Sequence, residues 1–253
     1  LIAPLLPGPR RLGRPRTTDL RDVVNAIQYI AATGCQWSLL PRDFPPFTTV
    51  QRYFYDWRNG GLLRAINHLL VMAARELEGR EASPSAGVID SQSVKTTESG
   101  GPRGFDAGKR IKGRKRHIVT DTLGLMVGAV VHPASVQDRD GAPMVLRSIR
   151  KSWPWLRHVF ADGGYAGPKL RGALKREGDW RIEIIKRSDA ARGFEVLPRR
   201  WVVERTFAWL GRCRRMAKDW EASVASAEAW LLIAHIRIMI RRLARFHAGP
   251  VEL

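Results

Sequence analysis

Near the start of the chain, apolar residues recur every three or four positions, which is the spacing of an amphipathic helix. The first such stripe consists of Leu20, Val23, Val24, Ile27 and Ile30. We expect Thr17 or Thr18 to cap this helix, because a hydroxyl can accept a hydrogen bond from a free N–H of the first turn. Gly34 is the predicted end of the helix.

Two more helices are predicted before residue 80. One begins at a Thr48 or Thr49 cap and runs through Trp57, and the next covers about 62–78. An Arg-rich arm at 10–16 precedes all three helices. This arrangement fits a helix-turn-helix module that binds DNA, and it fits equally a helical cover for a larger domain.

After a polar stretch at 81–85 the spacing becomes that of strands. Predicted strands cover 87–90, 117–121, 126–132, 157–161 and 181–186, and predicted helices cover 138–152, 168–177, 199–218 and 226–245. The short turn at Gly124 predicts a hairpin of the second and third strands. We therefore expect an α/β domain at 86–253, with a mixed five-stranded sheet and flanking helices, preceded by a small all-α domain at 1–85.

The net charge of the chain indicates the kind of partner that it binds. The 253 residues carry 43 Lys and Arg against 24 Asp and Glu, a net charge of +19, which suggests a polyanion: nucleic acid or an anionic membrane. The longest apolar run, 229–234, is too short to span a membrane, so we expect DNA as the partner, no membrane contact and a cytoplasmic location. Cys35 and Cys213 have no metal-ligand spacing.

Three carboxylates stand where chemistry is expected. Asp90 lies on the first strand, Asp162 ends the fourth strand, and Glu204 lies on the helix after the fifth. If the first and fourth strands are neighbours, and that helix crosses them, the three side chains can converge. Crowded carboxylates need a cation, and oxygen ligands select Mg²⁺ or Mn²⁺. Two such ions can drive phosphodiester cleavage.

Each carboxylate also has a structural interpretation. Asp90 can be a strand-end residue, Asp162 can be a turn residue before Gly163, and Glu204 can pair with Arg200 four positions earlier. Asp121 is a second candidate ligand, although its place before the turn favours a role in the hairpin. For His117 and His132 we favour a structural or DNA-contacting role over metal binding.

Four segments occur in an order that resembles a bacterial DDE transposase of the insertion sequence 5 type. They are VIDSQSVK at 88–95, GRKRH at 113–117, ADGGY at 161–165 and RWVVERTFAWL at 200–210. GRPR at 13–16 and GCQW at 34–37 resemble the leading helical domain of that family. The resemblance covers nearly the whole chain.

The resemblance implies a ribonuclease-H-like core with Asp90, Asp162 and Glu204 as catalytic metal ligands. It also implies an enzyme that cuts DNA at the ends of its own element and joins the freed 3′-hydroxyls to target DNA. Pairing two ends implies a homodimer or a higher oligomer on DNA. Two positions depart from the wider superfamily: Leu197 stands where a Tyr is frequent, and Gly211, beside Arg212, stands where a Lys is frequent.

Two groups of basic residues are predicted to bind DNA phosphates. The first is a flexible loop beside Asp90, with Lys109, Arg110, Lys112, Arg114, Lys115 and Arg116. The second lies along the helix of Glu204, with Arg200, Arg212 and Arg215. Both groups could instead be solvated surface. Two rival functions remain open: a metal-dependent nuclease with the same core, and a DNA-binding regulator without catalysis.

Overall fold

The computed structural model describes residues 1–9, 13, 15–178, 180–185 and 199–248. The helices are α1 (Leu20–Thr33), α2 (Phe47–Asn59), α3 (Leu62–Leu77), α4 (Asp138–Ile149), α5 (Pro168–Gly178), α6 (Arg200–Leu210) and α7 (Val224–Ala248). The strands are β1 (Ala86–Lys95), β2 (Gly104–Asp106), β3 (Ile111–Asp121), β4 (Met126–Pro133), β5 (His158–Ala161) and β6 (Arg181–Ile184). Leu197 and Lys186 lie outside the described residues, as do Arg10, Arg11 and Arg14 of the predicted arm.

The first helices confirm the apolar pattern but correct its caps. The N-cap of α1 is Asp19, whose carboxylate accepts a hydrogen bond from the N–H of Arg21 at 2.8 Å, so neither Thr17 nor Thr18 caps this helix. Gly34 ends α1 as predicted, with a φ of 72° that favours glycine. Helix α2 begins one residue before Thr48, after Pro46, so the predicted threonine cap is wrong.

One mixed sheet forms the centre of the molecule. Its order is β2-β3-β1-β5-β6, and β4 also pairs with β3. β1 runs antiparallel to β3 and parallel to β5, and β5 runs parallel to β6. The predicted hairpin is confirmed as β3 and β4, which pair antiparallel. The prediction of five strands missed β2, a three-residue strand that pairs with the start of β3.

β3 is longer than its apolar residues indicate. It begins at Ile111, six residues before His117, because the segment 113–121 pairs along the whole length of β1. The predicted flexible loop at 109–116 is therefore largely a strand in the middle of the sheet. Gly113 allows this pairing, since a side chain there would collide with the carbonyl oxygen of Val94.

Helix α6 is shorter than predicted. It ends at Leu210 rather than near residue 218, and a 3₁₀ turn at Arg214–Met216 follows. Val203 and Phe207 are buried where α6 packs against β1 and β3. Because α6 ends before Gly211, the residues after it do not continue the face of Glu204.

The N-terminal helices share one hydrophobic core with the rest of the chain. The ring of Phe54 in α2 stacks on that of Trp230 in α7, with centroids 4.7 Å apart. The side chains of Asn67 and His235 form a buried hydrogen bond of 2.6 Å. The described parts of segments 1–85 and 86–253 are therefore packed together, and α3 contacts both α7 and β4.

Among the described residues, no helix is both long and apolar enough to cross a membrane.

Candidate active site at the sheet edge

Strand register places Asp90 and Asp162 side by side. Val88 of β1 pairs with Phe160 of the parallel strand β5, and each aspartate follows its strand partner by two residues. Side chains two residues apart in a strand point to the same face. The two carboxylates thus lie at the same edge of the sheet. This agrees with the prediction that their two strands are neighbours.

Burial dominates the electrostatics of Asp90 and raises its pKa to about 6. The N–H of Ser91, which donates to Oδ1 of Asp90 at 2.7 Å, lowers this pKa, while the negative charge of Asp162 raises it. The positive charges of Lys109 and Arg200 lower it again. Two acidic and two basic side chains therefore share one electrostatic environment, and further positive charge there would favour ionised Asp90.

Glu204 lies on α6 but turns toward Arg200. Its side chain is 53% exposed, and its Oε1 accepts a hydrogen bond of 3.1 Å from Nη2 of Arg200. This is the ion pair that the i,i+4 spacing allowed. Among the residues that the structure describes, no three His, Cys, Asp or Glu side chains are grouped so that they could hold a metal ion. Asp90 and Asp162 are brought together; Glu204 stands apart from them.

A third aspartate, missed by the sequence analysis, lies beside this pair. Oδ1 of Asp138, in the first turn of α4, accepts hydrogen bonds from Oγ of Ser91 at 2.6 Å and from Nζ of Lys115 at 2.9 Å. Burial opposes ionisation of Asp138, but these two bonds outweigh it and lower the pKa of Asp138. Its position at a predicted helix start gave an ordinary structural explanation for Asp138, so the sequence held no separate signal.

Tyr165 connects the aspartates to a buried pair of histidines. Its pKa lies well above the ordinary value, because it is buried and close to the negative charges of Asp90, Asp138 and Asp162. Its hydroxyl shares a 2.7 Å hydrogen bond with Nε2 of His117. Burial lowers the pKa of His117 to about 3, so its imidazole is neutral.

The two histidines and Asp121 have structural positions. Nδ1 of His117 lies 3.3 Å from Nε2 of His132, and both rings are buried. Oδ1 of Asp121 accepts hydrogen bonds from the N–H groups of Leu123 and Leu125 in the hairpin turn, and its other oxygen pairs with Arg75. The hairpin role predicted for Asp121 is thus confirmed.

Replacing Tyr165 with Phe is expected to destabilise the fold by about 1–3 kcal/mol, because Nε2 of His117 would stay buried without its partner. Urea unfolding measures this loss. Tyr29→Phe is a matched control, since Tyr29 is 37% exposed and should change stability by less than about 0.5 kcal/mol. Equal stabilities of the two variants would show that the Tyr165–His117 bond contributes nothing.

The predicted basic loop divides into exposed and buried residues. Lys109, Arg110 and Lys112 are exposed, and Nζ of Lys109 donates to the carbonyl of Ser91 at 3.0 Å, next to Asp90. Arg114, Lys115 and Arg116 are buried, with exposed fractions of 0%, 4% and 4%.

The buried three bond within the protein. Nη1 of Arg114 pairs with Asp219 at 3.1 Å, Lys115 pairs with Asp138, and Nη1 of Arg116 donates to the carbonyl of Met216 at 2.7 Å. The expectation of a solvent-facing, phosphate-binding loop is wrong for these three, because β3 carries their side chains into the interior.

The second basic group is also divided. Arg200 lies beside Asp90 and Glu204, and Arg212 is exposed after the end of α6. Arg215 is buried: it pairs with Glu221 at 2.5 Å and donates to the carbonyl of Cys35 at 3.1 Å. Arg215 therefore does not face DNA beside Glu204, as its predicted place on a longer helix had suggested.

The protein is thus an α/β protein with an acidic site, in which two aspartates lie side by side on neighbouring parallel strands of a mixed sheet. Residues 81–239 match the family described as "Transposase DDE domain", and residues 1–67 match "Putative transposase of IS4/5 family". The chain belongs to the DDE transposases of the IS4/5 type. The resemblance to an insertion sequence transposase is thus confirmed.

One curated relative is the "Putative transposase for insertion sequence element IS402" of Burkholderia cepacia. It is 36% identical over 113 residues, which cover 41% of this chain and 52% of the relative. The chain thus spans about half the length of this relative. No solved structure matches the chain significantly.

Proposed function

We propose that the protein is a transposase that cuts DNA at the ends of its own insertion element and joins the freed 3′-hydroxyls to target DNA. The pairing of Asp90 and Asp162 at one sheet edge, in a chain of the DDE family, carries this proposal. The strand order, with a hairpin on one side of β1 and parallel strands on the other, supports a ribonuclease-H-like core. The protein would act in the cytoplasm.

The residues at this edge suit a divalent cation. Asp90 and Asp162 offer carboxylate oxygens, the donors that Mg²⁺ and Mn²⁺ prefer, and the raised pKa of Asp90 reflects a carboxylate that lacks full compensation. Asp90 and Asp162, with Glu204 freed from Arg200, would hold two ions. When bound, these ions supply Lewis-acid stabilisation of the phosphodiester oxygens.

The surrounding side chains then position the DNA. Arg200 and Lys109 carry positive charge next to Asp90, and both can hold backbone phosphates on either side of the reacting bond. Arg110, Lys112 and Arg212 are exposed and extend this positive surface. Asp138, Ser91 and Lys115 form a fixed support behind it, which keeps β1 and α4 in place.

Residues 1–85 are proposed to recognise the element ends, and residues 86–253 to hold the active site. Of the first three helices, α3 packs against both α7 and β4, and α2 exposes Thr48, Arg52 and Tyr55 to solvent. A helix that reads base edges needs such exposed polar side chains. We therefore place α2 in the major groove, as the reading helix of a helix-turn-helix-like unit. Two such units in a dimer would pair two ends.

The test is a reaction with supercoiled DNA that carries the element ends, in Mg²⁺. Asp162→Asn and Glu204→Gln are expected to lower cleavage and joining by roughly a hundredfold or more, because each removes a proposed ligand. Asp140→Asn is the matched control: this aspartate lies near the site on α4 but pairs with the exposed Lys169, and its loss should change the rate less than about twofold.

The products separate the rival functions. A nuclease would cut the DNA and leave no joined product, and a regulator would bind the ends without cutting them in Mg²⁺ or Mn²⁺. Full activity of the Glu204→Gln variant would show that Glu204 is not a metal ligand and serves only in its ion pair with Arg200.

A further inference from the structure

A basic cavity lies at the end of the sheet opposite the two aspartates. It has a volume of about 1100 Å³ and is formed where α4 and α5 end and where β5 and β6 begin. Five of its lining residues are cationic: Arg150, Arg157, Lys175, Arg176 and Arg181. We call this surface the basic cavity.

Its positive charge is little compensated among the described residues. The acidic residue in the described lining is Glu177, and Arg147, outside the cavity, holds it in an ion pair through two nitrogens, Nε at 2.7 Å. Arg157 donates to the carbonyl of Gly178 at 2.8 Å, which satisfies the end of α5. Among the described lining residues, the remaining four cations exceed what two helix ends attract, since a helix C-terminus carries about half a negative charge.

A buried donor also points to an anion. Trp180 lines the basic cavity and is 6% exposed, yet its Nε1 has no hydrogen-bond partner among the described residues. A methyl group built on Gly178 would collide with the side chain of Arg150 and lie 3.3 Å from Nε1 of Trp180. The indole N–H and the guanidinium of Arg150 therefore lie close together. Buried N–H groups are rarely left unpaired, and an acceptor beside Arg150 would satisfy this donor.

The basic cavity is separate from the proposed active site. Arg157 precedes β5 and Asp162 follows it, so five residues of extended chain separate them, about 16 Å at about 3.3 Å per residue. A reacting phosphate next to Asp162 cannot also reach Arg157.

We propose that the basic cavity binds backbone phosphates of duplex DNA at a second contact, away from the bond that reacts. This inference rests on the proposed function only in taking DNA as the polyanion. Cationic side chains and an N–H donor match phosphate oxygens, and the contact carries no base recognition. It would hold DNA of any sequence on the catalytic part of the protein.

The test compares two triple variants of the full chain, each with three positive charges removed. One is Lys175→Gln, Arg176→Gln and Arg181→Gln in the basic cavity, and the control is Arg80→Gln, Arg171→Gln and Arg245→Gln, all exposed elsewhere. Binding of a random-sequence duplex is measured against salt in EDTA, where no cleavage occurs. The log–log slope should fall by about 0.9 for each lost contact, thus by about 2 to 3 in the cavity variant. The control should change it by less than about 1.

The indole N–H resonance of Trp180, assigned with Trp180→Phe, gives a second readout. It should shift when duplex is added to the wild type and not in the cavity variant. Equal slopes for the two triple variants, or duplex binding without a shift of this resonance, would overturn the inference and leave the proposed function intact. Failure of the wild type to bind any DNA would contradict both.

Discussion

Replacing Asp90 with Asn is expected to lower DNA cleavage by roughly a thousandfold or more and to leave DNA binding nearly unchanged. The substitution keeps the size of the side chain but removes the charge of a proposed metal ligand, and Lewis-acid stabilisation is worth several kcal/mol, or a factor of ten per 1.4 kcal/mol. Cleavage of end-bearing DNA in Mg²⁺ and gel-shift binding of the same DNA measure the two effects. Cleavage near the wild-type rate would remove Asp90 from the active site.

Thermal unfolding in EDTA shows whether this variant is folded, and the sign of its effect is itself informative. Burial raises the pKa of Asp90 from 3.8 to about 6, so the folded protein holds this proton more tightly than the unfolded chain does. Protonated Asp90 therefore contributes to the free energy of unfolding at low pH, and this contribution is lost as pH rises from about 4 to about 6. Above pH 6 the Asn variant should therefore be the more stable protein, by on the order of 3 kcal/mol. A less stable variant would mean that ionised Asp90 is well compensated.

Replacing Arg114 with Gln is expected to lower the free energy of unfolding by about 3–5 kcal/mol, because a buried ion pair would lose one partner. Arg114 is 0% exposed, and Asp219, its partner, is 2% exposed. The guanidinium also donates to the carbonyls of Pro102 at 2.7 Å, Glu221 at 2.8 Å and Ala222 at 2.9 Å. These bonds fasten β3 to two distant segments of the chain.

Lys112→Gln is the matched control, since Lys112 lies two residues earlier on the same strand and is exposed. It should change stability by less than about 0.5 kcal/mol and lower the salt dependence of DNA binding. Urea unfolding and DNA binding of both variants distinguish a structural cation from a phosphate contact. A stable Arg114→Gln protein with weakened DNA binding would show that Arg114 is a DNA contact and not a structural cation.

Local pattern was enough for most elements of the sheet. Alternating or continuous apolar residues and the turn at Gly124 predicted β1, the β3–β4 hairpin, β5 and β6, because such patterns reflect burial on a pleated surface. The three-residue β2 and the first half of β3 were missed. Six of the eight residues at 109–116 are basic, and such a run ordinarily lies in water.

Local pattern also predicted part of the candidate active site. Asp90 lies within β1 after two apolar residues, and Asp162 directly follows β5, so both could be placed on strands from the sequence and their proximity could be predicted. Asp138 and Tyr165 could not be assigned a place beside them, because α4 and the turn after β5 reach this site only through tertiary packing. Spacing alone allows Glu204 either to join the two aspartates or to pair with Arg200. In the structure it pairs with Arg200.

The sequence by itself determined the family, the order of the elements and the edge of the sheet where the aspartates meet, since these depend on local periodicity and on motif order. Only the tertiary structure decided which cations are free to meet DNA. Arg114 and Arg215 are buried against Asp219 and Glu221, while the cations of the basic cavity stay open to solvent. The physical reason is that a charge is recorded in the sequence, whereas its burial depends on contacts with distant segments: Arg114 contacts Asp219, 105 positions later, and Arg215 contacts the carbonyl of Cys35, 180 positions earlier.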